Sequence, residues 1–453
     1  MSTASQSIAK RENPFATAFG ISVIVFVFLA AVFLHVLGMP LTGPVLILSA
    51  GALFLAAFRY PIPALGTVLS LMSIYPLAFV LAKFFGPSYV ASLQGSDRIA
   101  LLLVTVILWY RYGVKFTFPD RLALAAFLLA LIRLSFGGTL LPLLNDFDFL
   151  IPYAAGRMAL LTASQTQTWA RRAVWIIAVL AIFGMIEVFI IGDGPRTVLY
   201  VAAAEGATEG GALNAVFHAE GFAGLRESST MFGPLQFASL CMVALIVWWV
   251  YHRNPLPGMA IAAGLICTVT RSAWLGTCLT VPFLAIVMRQ KRRFLVYAAL
   301  GLALFLASIP ALGLSDYLFA TKTGQDPSAQ GHLTDVIRGT AYVLEHPFGF
   351  GPGNAGMYAF KNNTHAIFIE STYLTLAAEY GIATSLCFIG FLASALWIAL
   401  RLRTQIGYAA GGILVGFGAV MFFAAMHDVF SLACWVWFPV GLAVKSSAIA
   451  SGS

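Results

Sequence analysis

Long apolar runs separated by short polar segments are the feature of this sequence that most limits how the chain can fold. A helix needs about 17 to 25 consecutive apolar residues to cross the hydrocarbon core of a bilayer. Ten clear runs and four weaker ones predict 14 membrane-spanning helices, or 12 if two of the weak segments do not cross. The clear runs are residues 19–38, 41–58, 63–85, 122–144, 174–192, 232–251, 296–314, 367–400, 409–426 and 430–444, and the weaker ones are 99–110, 147–163, 259–270 and 273–288.

The composition supports the same class of protein. Of 453 residues, 60% are hydrophobic and only 44 are charged, 26 of them basic and 18 acidic. A soluble protein of this length would carry far more charge on its surface, so lipid must cover most of this chain. The sequence therefore predicts an all-α, polytopic integral membrane protein with a single domain over residues 1–453. It excludes a soluble enzyme, a disordered chain and a disulfide scaffold.

The basic residues predict the orientation of the helices. If the spans alternate from a cytoplasmic N-terminus, the inside segments hold 16 basic residues and only two acidic ones, Glu12 and Asp120. Lys and Arg accumulate in short cytoplasmic loops, so both termini are predicted in the cytoplasm. The net charge of +8 is interpreted as a topology signal and not as a nucleic-acid surface. The 16 basic residues are Lys10, Arg11, Arg59, Arg111, Lys115, Arg121, Arg171, Arg172, Arg253, Arg289, Lys291, Arg292, Arg293, Arg401, Arg403 and Lys445.

Two predicted loops, at about 193–230 and 315–366, are much longer than the others and lie on the non-cytoplasmic side. The larger one is expected to carry short helices. Because helices are usually joined by short connections, these loops are the first place to look for function. Arg226 lies near the end of the first loop and Arg338 lies in the second, while Arg271 is placed at the same membrane face by the 273–288 run.

These three arginines predict an anion-binding surface. Topology does not favour arginine on the outer side, so a ligand should hold it there. The planar guanidinium group binds pyrophosphate bidentately without a metal. The alternative is that each arginine is an interfacial anchor whose charged end reaches the lipid headgroups.

Glu370 is the candidate general base, because a carboxylate at the mouth of a membrane helix is costly to place there. It could instead be a first-turn residue that the helix dipole favours. His365 is a rival proton carrier or an ordinary loop histidine. Tyr373, close to Glu370, is a candidate substrate contact. No CxxC or His-rich spacing indicates a metal, and no cofactor is predicted.

The glycines at 349, 351 and 353 first suggest a phosphate-binding loop. The Lys-Ser/Thr pair that follows such a loop in P-loop proteins is missing. The segment is therefore interpreted as a turn that brings the outer loop back to the membrane.

Four segments in this order resemble the O-antigen ligase and Wzy-type polysaccharide polymerase superfamily of bacterial inner-membrane glycosyltransferases. The segments are RESSTMFGP at 226–234, TRSAWLG at 270–276, DVIR with EHPFGFGPGN within 335–354, and ESTYLTLAAEYG at 370–381. The resemblance covers residues 220–390. Ligases of this family typically have His followed by Asn where this chain has Glu370-Ser371, which is more similar to the polymerase branch.

The resemblance implies an enzyme that joins oligosaccharide repeat units carried on undecaprenyl pyrophosphate at the periplasmic face of the inner membrane. The lipid-linked oligosaccharide would be donor and acceptor, and a chain-length regulator is a possible further partner. The transfer would invert the anomeric centre without a metal. Arg226 and Arg271 would bind pyrophosphate, Arg338 would contact donor or acceptor, and Glu370 or His365 would be the base. The alternatives are an O-antigen ligase acting on the lipid A core, and a lipid-linked oligosaccharide flippase or transporter.

The topology is tested by cysteine labelling. In a background without the five native cysteines, Gly210→Cys and Gln330→Cys should react with a membrane-impermeant maleimide in intact spheroplasts, because both positions lie in the predicted outer loops. If these cysteines react only after the spheroplasts are lysed, the predicted orientation of the helices is wrong.

Overall fold

The fold is described from a computed structural model. The structure describes residues 42–78, 81, 95–192, 226–227, 229–231, 233–252, 254–312, 314, 327–355, 369–424 and 429–450. These residues form sixteen α-helices and one π-helical segment, with no strand among them. The helices are α1 (Thr42–Arg59), α2 (Pro61–Leu71), α3 (Ser96–Tyr112), α4 (Phe118–Leu134), α5 (Leu140–Asp146), α6 (Leu150–Met158), α7 (Ala163–Ile186, continued by the π segment Glu187–Ile191), α8 (Pro234–Tyr251), α9 (Pro255–Cys267), α10 (Arg271–Val287), α11 (Lys291–Leu312), α12 (Pro327–Glu345), α13 (Thr372–Tyr380), α14 (Ile382–Leu402), α15 (Gln405–Phe423) and α16 (Phe430–Ala450).

Six of the described helices are long and apolar enough to cross a membrane: α7 with its π segment, α8, α11, α14, α15 and α16. The helices α2, α9 and α10 are apolar but shorter. The predicted all-α, polytopic fold is thereby confirmed. The number of crossings stays a prediction, because the apolar run at 19–38 lies outside the described residues.

Two predicted spans are each divided into two helices. The run at 122–144 forms α4 and α5, which are separated by Gly137 and Gly138 with φ of 135° and 111°. The run at 367–400 contains α13 and α14, which meet at Gly381 with φ of 91°. Positive φ is readily adopted by glycine, so these residues allow the chain to break inside an apolar run. Apolar composition alone did not reveal either break.

The larger predicted loop carries α12, a helix of 19 residues that is longer than the short helices expected there. The weak span at 147–163 contains α6, which has nine residues and is about 14 Å long. Most of the first predicted loop, 193–225, lies outside the described residues.

The core is centred on α8, in which 83% of the apolar window is buried. A group of aromatic rings joins α6, α14 and α16 beside it. The Trp437 ring lies 4.9 Å from Phe149 and 5.6 Å from Phe391, measured between ring centroids. By contrast, only 6% of the α11 window is buried by the described residues, so most of this helix faces away from them.

Contacts at the end of α6 show which predicted inside segments share one end of the helix bundle. A guanidinium nitrogen of Arg157 donates to the carbonyl oxygen of Lys115 over 2.8 Å, and Nζ of Lys445 donates to that of Met158 over 2.9 Å. Lys115 and Lys445 belong to segments that the charge pattern assigns to one side of the membrane, and both contact the end of α6. The structure therefore brings them together, and which compartment they face stays a prediction.

A buried ion pair joins α4 to α6 at this end. Arg157 donates from Nε and Nη2 to the two carboxylate oxygens of Asp120 over 2.9 and 2.8 Å. The Tyr153 hydroxyl adds a bond to Asp120 over 2.8 Å, and the backbone N–H of Thr117 adds another over 2.6 Å. These bonds offset the cost of removing both charges from water.

Asp120→Asn should strongly destabilise the protein, because the Arg157 guanidinium then stays buried without its counterion. Breaking such a pair typically costs about 3–5 kcal/mol, which should appear as a large fall in the unfolding midpoint in detergent micelles. Arg121→Gln, at an exposed position on the same helix, is the control and should leave the midpoint unchanged. Equal midpoints for the two variants would contradict the role of the pair.

Candidate functional site

Arg226 lies against the turn that joins α9 to α10. Its Nε donates to the carbonyl oxygen of Thr268 over 3.0 Å, and its Nη2 donates to Oγ1 of Thr270 over 3.0 Å. The backbone N–H of Glu227 donates to the carbonyl oxygen of Cys267 over 3.0 Å. These bonds hold the half-buried Arg226 side chain beside the start of α10.

Arg271 is the first residue of α10 and directly follows Thr270. The first N–H groups of a helix have no partner inside the helix, and the helix dipole is positive at this end. The Thr270 side chain makes no capping hydrogen bond here. The two arginines and the start of α10 therefore create a region of positive potential that suits an anion.

A histidine–carboxylate pair lies close to this region. Helix α12 places His332 against Glu370, so that Nδ1 of the imidazole contacts Oε2 of the carboxylate. The two side chains are 37% and 32% exposed. Because Nδ1 is occupied by the carboxylate, Nε2 is the ring nitrogen available to another molecule. An imidazole oriented in this way is suited to proton transfer.

The charges around His332 connect the pair to the arginines. The hydrogen bond to Glu370 raises the pKa of His332, although partial burial acts against it. The positive charge of Arg271 lowers the same pKa, which places this arginine within electrostatic reach of the imidazole. Burial and then the charge of Glu370 raise the pKa of Asp335, one turn further along α12. Arg271, His332, Asp335 and Glu370 thus form one electrostatic cluster.

A small pocket lies beside the pair, between α12, the segment 369–371 and the end of α15. It is lined by His332, Asp335, Val336, Ile369, Glu370, Ser371, Leu374, Phe422 and Phe423. The Ser371 hydroxyl is buried and has no hydrogen-bond partner among the described residues. Because buried polar groups are almost always paired, this hydroxyl is a candidate contact for a polar group of a ligand.

The glycine-rich segment forms the returning turn that its sequence predicts. Gly349 and Gly351 have φ of 75° and 97°, and the Gly351 N–H donates to the carbonyl oxygen of Glu379 over 2.7 Å. A Cβ at Gly351 would lie 2.2 Å from the carbonyl oxygen of Gly137, so only glycine fits this close approach. The turn thereby fixes the end of α12 against α13 and against the connection between α4 and α5.

Three other predicted site residues are placed differently. The Tyr373 hydroxyl donates to the carbonyl oxygen of Gly418 over 2.9 Å, which ties α13 to α15 and directs this group into the helix packing. Arg338 is exposed on α12, where its charge acts on Asp335. His365 lies outside the described residues.

His332 is the site residue that sequence reasoning missed. A usable signal was present, because His332, Asp335 and Gly339 are spaced to share one face of a helix. Gly339 packs on Ile369, so this face is the one that meets the segment before α13. The contact with Glu370, 38 positions later, has no signature in the local sequence.

Fold and site together define a polytopic, all-α membrane protein with a basic surface and an acid–base pair at one end. The family model described as O-antigen ligase matches residues 256–389, which run from α9 into α14. The matched segment includes Arg271, His332 and Glu370, while Arg226 precedes it. The match confirms the resemblance to the O-antigen ligase and Wzy superfamily, whose members are glycosyltransferase-like enzymes. A comparison with curated proteins gave no match.

Proposed function

We propose that the protein is a polysaccharide polymerase that joins oligosaccharide repeat units carried on undecaprenyl pyrophosphate at the periplasmic face of the inner membrane. One observation carries the proposal: His332 and Glu370 are in contact, and Arg271, at the start of α10, lies within electrostatic reach of this pair. Transfer from a lipid pyrophosphate requires these two elements, a cationic site for the leaving group and a base for the attacking hydroxyl.

The arginines would stabilise the departing pyrophosphate. Negative charge grows on this group as its bond to the anomeric carbon breaks, and preorganised donors in a partly dry site stabilise such charge effectively. Arg226 is preorganised because two hydrogen bonds fix it to the turn at Thr268 and Thr270. Arg338, exposed on α12, remains a candidate contact to donor or acceptor.

The Glu370–His332 pair would act as the base. The acceptor hydroxyl oxygen attacks the anomeric carbon, the carbon–oxygen bond to pyrophosphate breaks, and the leaving group keeps the electron pair. The hydroxyl proton passes to Nε2 of His332, while Glu370 on Nδ1 stabilises the imidazolium that forms. A single displacement of this kind inverts the anomeric centre.

An O-antigen ligase is the second candidate, which the description of the matching family favours. The imidazole of His332 also lies against Glu370, near the position where ligases of the family typically have a histidine. The two activities use the same donor and differ in the acceptor, so the acceptor must decide between them.

The deciding experiment supplies purified protein in liposomes with a labelled oligosaccharide on undecaprenyl pyrophosphate. A polymerase should form a ladder of longer lipid-linked products without another acceptor. A ligase should consume the donor only when lipid A core is added. If no product forms under either condition, both glycosyltransferase proposals are contradicted. The flippase or transporter is then the remaining candidate function.

Arg226→Lys and Arg271→Lys should each lower the rate of chain extension about 10- to 100-fold, since a hydrogen bond to a charged group contributes about 1.5–3 kcal/mol. Lysine keeps the charge but lacks the planar fork that binds pyrophosphate bidentately. Arg121→Lys, at the other end of the bundle, serves as the control. Near-normal synthesis by both site variants would show that these arginines are only interfacial anchors.

Glu370→Gln and His332→Gln should each lower the rate by about 10² to 10⁴, the usual contribution of a general base. Because the base is the neutral imidazole, the rate of the parent protein should rise with pH through the raised pKa of His332. Glu370→Gln removes the main cause of that rise in pKa, so the residual activity should titrate at lower pH. If the pH profile of Glu370→Gln coincides with that of the parent protein, His332 is not the general base.

A further inference from the structure

A second site lies at the opposite end of the bundle from the arginines. A partly open cavity of about 480 Å³ is lined by α2, α7, α8, α15 and α16, and most of its lining is apolar. On α7 it reaches from Gln165 to Ile176, whereas Gly184, further along the same helix, packs on Glu227 beside Arg226. Gly184 lies eight positions after Ile176, about 12 Å further along the helix axis. The cavity is therefore distinct from the candidate active site.

The depth of the cavity corresponds to one leaflet of a bilayer. It follows α2 from Ile62 to Leu71 and α16 from Leu442 back to Cys434. At 1.5 Å per residue these stretches measure about 14 and 12 Å. Half of the hydrocarbon core is about 15 Å thick. One acyl chain of the adjacent leaflet matches this depth better than a chain that crosses both leaflets.

Two hydrogen-bond donors, the side chains of Arg172 and Tyr251, are among the groups that line the cavity. Arg172 precedes the apolar run at 174–192, and Tyr251 is the last residue of α8. Arg171 donates to the carbonyl oxygen of Tyr251 over 3.4 Å, which brings these two segments together. The Tyr251 hydroxyl is buried, and neither it nor the Arg172 guanidinium has a hydrogen-bond partner among the residues that the structure describes.

These donors have the chemistry of a phospholipid headgroup site. A guanidinium group pairs with phosphate through charge-assisted hydrogen bonds. A buried hydroxyl without a partner is costly, and an ester or phosphate oxygen of the same lipid would satisfy it. The positive charge of Arg172 favours a headgroup with net negative charge.

We propose that this cavity binds one anionic phospholipid from the leaflet opposite the candidate active site. An acyl chain fills the apolar part, the phosphate meets Arg172, and the Tyr251 hydroxyl donates to an ester or phosphate oxygen. This lipid is separate from the glycan donor, so the inference does not depend on the proposed function.

The test adds phosphatidylglycerol or phosphatidylcholine with the same acyl chains to delipidated full-length protein in detergent, and counts bound lipids by native mass spectrometry. One phosphatidylglycerol should bind at concentrations that leave phosphatidylcholine unbound. Arg172→Gln should weaken its binding about 10- to 100-fold and Tyr251→Phe about 2- to 10-fold. Arg121→Gln should have no effect.

Ala173→Phe narrows the cavity and should abolish binding of both lipids, whereas Val179→Phe, on an exposed part of α7, should not. If the two variants retain the same amount of bound phosphatidylglycerol, the lipid lies on the outer surface of the protein and the proposal is overturned. Equal affinity for both lipids, unaffected by Arg172→Gln, would also overturn it. A third outcome would also overturn the proposal. If Ser70→Cys forms a disulfide with a cysteine placed within residues 19–38, this segment of the chain itself fills the cavity.

Discussion

The cost of an unpaired charge or polar group in hydrocarbon is the constraint on which the rest of this structure depends. Asp120 and Arg157 show how the constraint is met, since each buried carboxylate oxygen accepts at least two hydrogen bonds. Such pairs hold short helices that could not span a bilayer alone. α6, with nine residues, is fixed in this way against α4.

The same constraint explains how the candidate site is built. Its polar residues come from three regions that are distant in sequence: the segment at 226–227, the start of α10, and α12 with the segment before α13. Each region is fixed by backbone hydrogen bonds, at the turn around Thr268 and at the glycine-rich turn around Gly351. Positioning by backbone contacts allows charged side chains to stay half-exposed while keeping a defined place. That combination suits the anion binding and proton transfer that we propose for this site.

The two ends of the molecule differ in chemistry, and an apolar core lies between them. The buried helix α8 runs from Pro234, which follows the segment that holds Arg226, to Tyr251, which lines the cavity. The candidate active site has paired, half-exposed charges around a small pocket. The cavity at the opposite end has an apolar wall that includes two donors. A carbohydrate donor and a structural lipid would therefore bind to separate parts of the protein.

The sequence by itself determined the class of protein, because apolar run length and low charge act locally and need no knowledge of packing. It also predicted Arg226, Arg271 and Glu370 as candidate site residues, since a charge beside an apolar run is visible in one dimension. Only the tertiary structure decided that Gly381 divides the 367–400 run, because the break depends on the turn docked against it. The partnership of His332 with Glu370 was likewise beyond the sequence: it arises where α12 folds back on the segment before α13, and no local pattern encodes that contact.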